Sequence, residues 1–230
     1  MKIGIVVFPG TWSESDTFYA TKDILGFQTE YIWHKDQKLN NLDLVVLPGG
    51  FSYGDYLRTG AIASFSPIME DVIKFANNGG PVIGICNGFQ ILCESKLLPG
   101  ILIRNKNLSF ICEWSNLLVN NQSKFTDEYQ NKEVIKIPIS HGEGNYQADR
   151  YTIDQLEDEN RIIFRYCSND GTVNEINNPN GSINNIAGIT NKAGNVLGMM
   201  PHPEKASEKL IGGDDGLTIF KSIMKKVSDG

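Results

Sequence analysis

The chain is poor in the residues on which metal and redox chemistry depend. Its 230 residues hold four cysteines and three histidines. The cysteines, at 86, 93, 112 and 167, form no C-x-x-C pair and no zinc-ligand spacing. Positive charge is also scarce. A net charge of −6 and a pI near 5.1 argue against a nucleic-acid surface. The Lys225-Lys226 pair reads as the solvated end of a last helix. No apolar run approaches the roughly 20 residues that cross a bilayer. The first seven residues, MKIGIVV, read as a strand and carry no signal-peptide cleavage pattern. Reduced thiols and the absence of a leader predict the cytoplasm. No G-x-x-x-x-G-K-[ST] loop occurs, and the glycine-rich stretch from Gly49 to Gly60 has no lysine to reach a phosphate. Repeats and interdomain linkers are missing as well, so 1–230 is expected to be a single domain.

What is present centres on residues 81–90, PVIGICNGFQ. An apolar strand runs into a glycine-flanked cysteine, and the apolar spacing of a helix follows. This is the cysteine form of a nucleophile elbow. Gly84 and Gly88 lie two residues either side of Cys86, where side chains would collide in so tight a turn. A helix starting near Asn87 would aim its free N–H groups at the sulfur, favouring a thiolate and an oxyanion. The plainer reading is a buried cysteine in an ordinary strand-to-helix turn.

A cysteine nucleophile needs a base. His202 sits in PHPE, between two prolines, with Glu204 two residues on. In an extended segment the two side chains point the same way, so Glu204 can orient the imidazole. That composes a Cys86–His202–Glu204 triad. Alone, PHPE reads as a surface turn; the elbow shifts the balance. His141, in SHGEG after the run from Val134 to Ile139, reads as a residue shaping a loop. His34 ends a strand and reads as structural.

The first half alternates strands (2–8, 27–34, 44–47, 81–85) with helices (from Ser13 or Ser15 to about Leu25, and from Pro67 to about Ala76). Nearly unbroken apolar strands predict a parallel sheet covered on both faces, with ligands at the carboxyl ends of its strands. The second half offers strands at 111–119, 134–139, 162–167, 186–190 and 196–200, the last two flanking a hairpin turn. Residues 121–132 read as a polar loop, 174–185 as an exposed loop, and 217–227 as a closing amphipathic helix.

The elbow in GICNGFQ, the late HPE and the PGG turn after the third strand resemble the class I (triad) glutamine amidotransferases. GGFSYGDYLRTGA at 49–61 and SHGEG at 140–144 are similar, more narrowly, to glutaminase subunits of phosphoribosylformylglycinamidine synthases. The opening VVFPG and the late GDDGL fit too. The resemblance spans essentially the whole chain. It implies an α/β, three-layer, flavodoxin-like sandwich with a mostly parallel central sheet and an antiparallel β extension in the second half.

It also implies that Cys86 attacks the carboxamide of glutamine. Backbone N–H groups at Gly50, Phe51 and Asn87 would hold the oxyanion, and Gln90 and His141 would help hold the substrate. No metal or cofactor is implied for this chain. ATP and magnesium are expected on a synthetase partner that consumes the ammonia, possibly with a small third subunit. Three places depart from the family: Thr11 to Glu14 where Ser-Asn-Cys-Asp is usual, Asn145 where arginine is common, and Lys205 in place of arginine. The competing expectations are another class I amidotransferase, serving GMP, anthranilate or CTP synthesis, and a DJ-1/intracellular protease-like protein. Asn87, rather than a histidine, directly after the cysteine disfavours the second.

Overall fold

In the computed structural model the backbone is described for residues 1–228 and side chains through Lys225, so Lys226 of the lysine pair lies outside the described side chains. The strands are β1 (Lys2–Val7), β2 (Gln28–Trp33), β3 (Leu44–Leu47), β4 (Val82–Ile85), β5 (Ile101–Ile103), β6 (Ile111–Val119), β7 (Val134–His141), β8 (Asn145–Gln147), β9 (Ile162–Cys167), β10 (Ile186–Thr190) and β11 (Val196–Met199). The helices are α1 (Glu14–Phe18), α2 (Pro67–Asn77), α3 (Asn87–Glu94), α4 (Arg150–Asp158) and α5 (Leu217–Ser228).

Nine strands form one sheet in the order β2-β1-β3-β4-β11-β10-β9-β6-β7, and β5 pairs with β8 apart from it. From β2 to β11 every pair is parallel; from β11 to β7 every pair is antiparallel. This is the expected parallel sheet with an antiparallel extension. Strands β3, β4, β10 and β11 are buried along their whole length, which requires cover on both faces.

The register places the site. Leu47 of β3 pairs with Gly84, and Met199 of β11 with Ile85. Three neighbouring parallel strands therefore end together, and the chain leaves them at Pro48, Cys86 and Met200. Gly84 and Gly198 are register partners, and a Cβ on either would strike α3: 2.5 Å from the Gly88 carbonyl and 2.1 Å from the Phe89 ring. Both glycines let α3 lie directly on the sheet behind Cys86.

Four stretches differ from expectation. The first helix changes after Phe18 into a π-helical turn over Tyr19–Ile24, with the Leu25 N–H reaching back to Ala20. Residues 174–185 are an exposed loop only in part: Glu175, Ile176 and Asn184 are exposed, while Asn180, Ser182 and Asn185 are buried. Their polar groups replace sheet bonds, with Asn185 donating to the Tyr166 and Asn174 carbonyls and Ser182 accepting from the Tyr146 N–H. The 121–132 loop buries Phe125 and Tyr129. Helix α4 is unforeseen, although its signal stands in the sequence: Asp149 caps the Thr152 N–H at 2.9 Å, and Ile153 and Leu156 face inward.

Candidate active site

Cys86 sits between β4 and α3 with φ +50° and ψ −105°, a conformation that costs a non-glycine residue of order 1–3 kcal/mol. The surroundings over-determine it. The Cys86 N–H donates to the Met199 carbonyl at 2.8 Å, and α3 begins at the next residue. A Cβ on Gly88 would lie 1.9 Å from the Leu47 carbonyl, so any side chain there would push the helix off β3.

His202 arrives from β11, next to β4, and its own N–H is held by the Pro138 carbonyl at 2.8 Å. Its Nδ1 bonds Glu204 Oε1 at 2.6 Å, with both side chains buried. Burial opposes the imidazolium, yet Glu204 and then the Cys86 sulfur hold the His202 pKa above its usual value, at about 10. Its Nε2 has no hydrogen-bond partner among the described residues, while the Cys86 sulfur donates to the Ser140 carbonyl at 3.6 Å. The triad is assembled, and the Cys86 sulfur is the group within reach of that nitrogen.

Two neighbours fix the His202 turn. Lys205 pairs with Asp16 of α1 at 2.5 Å, so the departure from arginine keeps its charge employed. Gly216 lies against Pro203, where a Cβ would stand 2.1 Å from the carbonyl oxygen.

The expected oxyanion donors divide. The Asn87 N–H opens α3 and has no intrahelical acceptor. The Gly50 N–H makes no hydrogen bond among the described residues, and Gly50 has φ +149° beside the Trp12 backbone. Phe51 is the correction: its N–H donates to the Gly10 carbonyl at 2.9 Å, because a bridge between Thr11 and Gly50 fastens this turn to the 8–12 segment. The departure at Thr11–Glu14 thus lies on the back of the oxyanion turn.

A cavity of about 230 Å³ opens over Cys86, lined by Gly50, Phe51, Asp55, Thr59, Gln90, Phe110, Ser140, His141, Gly142 and Glu143. Gln90 lies in its wall, donating to the Glu143 carbonyl at 2.7 Å and accepting from Asn87 at 2.8 Å. The Asn87 amide oxygen in turn accepts from the Ser52 N–H. One amide thus ties the elbow to the 50–58 loop.

His141 borders the cavity with both ring nitrogens taken. Nδ1 meets Asn105 at 3.1 Å and Nε2 meets Asn180 at 3.5 Å. Burial and then His202 push its pKa down to about 4, so it is neutral at pH 7. It holds the 141–144 loop and presents no free polar atom to a substrate. His34 is structural, its Nδ1 bonded to the Tyr53 hydroxyl at 2.8 Å. Among cavity residues, Asp55, Thr59 and Glu143 lie inside the quoted motifs, yet sequence reasoning gave them no role. Departing Asn145 is buried in β8, its amide 3.4 Å from the Arg104 carbonyl.

No group of side chains suited to a metal ion occurs among the described residues, and no described helix is long and apolar enough to cross a membrane.

Residues 1–212 match the profile of the CobB/CobQ-like glutamine amidotransferase domain. The chain is 56% identical over 225 residues to a phosphoribosylformylglycinamidine synthase subunit PurQ of Moorella thermoacetica, covering 97% of this chain and 95% of that one. The corresponding figures for PurQ of Salinibacter ruber are 50% over 228 residues, 99% and 97%. Among solved structures, a chain of PurLQS from Thermotoga maritima superposes with a TM-score of 0.86 at 42% identity, covering 98% of each chain. Another glutamine amidotransferase from Thermotoga maritima shares the fold alone, with a TM-score of 0.60 at 16% identity over 100% of this chain and 99% of that one. The chain belongs to the PurQ family of phosphoribosylformylglycinamidine synthase subunits, within the CobB/CobQ-like glutamine amidotransferases.

Proposed function

We propose that this chain is the glutaminase subunit of phosphoribosylformylglycinamidine synthase. It hydrolyses glutamine to glutamate and ammonia and hands the ammonia to an ATP-dependent synthetase subunit in purine biosynthesis. The observation that carries the chemistry is the buried His202–Glu204 pair, brought 116 residues along the chain to the strained Cys86 elbow. Cys86, its proton passed to His202, attacks the carboxamide carbon. The Asn87 and Gly50 N–H groups receive the developing oxyanion. His202 returns the proton to the leaving nitrogen, and ammonia departs from a thioester. His202 then takes a proton from water, which attacks the thioester and frees glutamate and the Cys86 sulfur. Glu204 keeps the imidazole oriented throughout.

None of these steps consumes ATP, and this chain needs no cofactor for them; ATP and magnesium belong on the synthetase. The free thiols fit the reducing cytoplasm. The test is Cys86→Ala assayed in the complex with the synthetase. Glutamine-dependent synthesis falls at least about 10³-fold, because triad members act as a unit, while synthesis driven by added ammonium persists. Glutamine turnover surviving in that variant removes the proposal.

A further inference from the structure

The cavity over Cys86 holds two carboxylates, and they are not alike. Glu143 is engaged through both oxygens: Thr59 donates to one at 3.2 Å, and Arg104 lies 3.7 Å from the other. Asp55 accepts no hydrogen bond among the described residues, and its Oδ1 is fully buried. Burial, and then Glu143, raise its pKa to about 6. A carboxylate that faces a second carboxylate and has no donor of its own is a group waiting for a cation.

The backbone is strained to put it there. Tyr53, Asp55 and Leu57 all have positive φ, at 54°, 57° and 69°. Such conformations persist only where the surroundings enforce them. Here anchors stand on both sides. Before Asp55, the Tyr53 hydroxyl bonds His34 at 2.8 Å and Ser66 at 3.1 Å. After it, Arg58 makes a two-bond fork to Glu94 of α3 at 3.0 and 2.7 Å. Gly60 then presses on the α3 backbone, where a Cβ would lie 2.7 Å from the Ile91 nitrogen. The loop is clamped to two elements, and the side chain it delivers between the clamps is Asp55.

Resting on the glutaminase reading above, we infer that Asp55 is the specificity-determining residue that receives the α-ammonium of the substrate. Glutamine carries that cation four bonds from the carboxamide carbon that Cys86 attacks. A cation entering between Asp55 and Glu143 gives Asp55 the partner it lacks and relieves the repulsion between the two acids. Amides without an α-ammonium gain neither, so Asp55 separates free glutamine from other primary amides.

The experiment pairs a substrate change with a side-chain change. Glutamine and glutaramic acid, the same amide lacking the α-amino group, are assayed in the complex with the synthetase, as turnover and as inhibition constants. Asp55→Asn should lower kcat/KM for glutamine at least about 30-fold, mainly through KM, since removing one member of a buried charge pair costs this much or more. The constants for glutaramic acid should stay within about threefold, and Asp55→Glu should restore part of the preference. Equal losses for both compounds in Asp55→Asn overturn the assignment. So does a preference for glutamine that survives in Asp55→Asn and disappears in Glu143→Gln. A wild-type complex that releases no glutamate from glutamine is a different result, which defeats the glutaminase reading itself.

Discussion

Of the four cysteines, environment singles out Cys86. Burial pushes the thiols of Cys93 and Cys167 up, the latter to about 11 with help from Asp170, and keeps them protonated at neutral pH. Cys86 instead has an adjacent imidazole and two glycines clearing its turn. Those glycines stand at fixed offsets, which is why this residue was legible before any fold was known. Asp55 was not, because its signals are a positive φ and a missing partner, and neither leaves a mark in composition. Its ionised form also weighs on the fold. The carboxyl is raised from its ordinary 3.8 to about 6, so the folded chain resists ionisation that the unfolded chain accepts freely. Wild-type stability should therefore fall as pH rises from about 4 to about 6 and stay lower above that. Asp55→Asn removes the penalty. Discounted for a side chain that keeps partial contact with solvent, the gain at neutral pH is about 1 kcal/mol. Urea midpoints of the two proteins at about pH 4 and about pH 8 should converge at the acid end and separate at the other; parallel curves would disprove the account.

Elements matter here through where they stop. β3, β4 and β11 end in register, so the oxyanion turn, the nucleophile and the base leave the sheet as neighbours. The late GDDG segment has a place in this. Gly216 donates its N–H to the Ala206 carbonyl at 2.9 Å and packs on Pro203, bracing the turn that carries His202 and Glu204. Asp215 steadies the same corner, accepting from the Lys136 N–H at 2.7 Å. Gly216→Ala should displace Pro203, since its Cβ has no room. Overpacking of this kind costs about 1–3 kcal/mol, and a shift of the base by a fraction of an ångström should lower kcat about 10- to 100-fold. The loss should appear in kcat with the glutamine KM little changed. A fall confined to KM would mean that the segment serves the substrate pocket and not the base.

Taken as one body, the chain holds an assembled triad beside an oxyanion turn in which the Phe51 N–H is bonded to Gly10 and the Gly50 N–H makes no hydrogen bond among the described residues. Docking on the synthetase is expected to aim the Gly50 N–H at the oxyanion, by selecting the competent arrangement of a turn that contains two glycines. Glutamate release should rise about 100- to 1000-fold when the synthetase and its nucleotides are added, the range covered by one oxyanion donor; full activity in the isolated chain would exclude the coupling. The parallel half of the sheet, the elbow, and the pairing of His202 with Glu204 were legible because each is written in neighbouring residues: apolar runs of strand length, glycines two positions from a cysteine, a glutamate two positions from a histidine. Contacts between distant segments were not. Nothing near Phe51 announces that Gly10 takes its N–H, and nothing near His141 announces that Asn105 and Asn180 occupy its ring. The asparagine-rich stretch at 174–185 looks like solvent-exposed loop because its amides are polar; in the fold those amides bond carbonyls that no strand reaches, and burial follows. Local periodicity and spacing specify which elements form and which side chains share a turn. Which polar group is satisfied, and which, like Asp55, is left for a ligand, depends on what the packing brings opposite it.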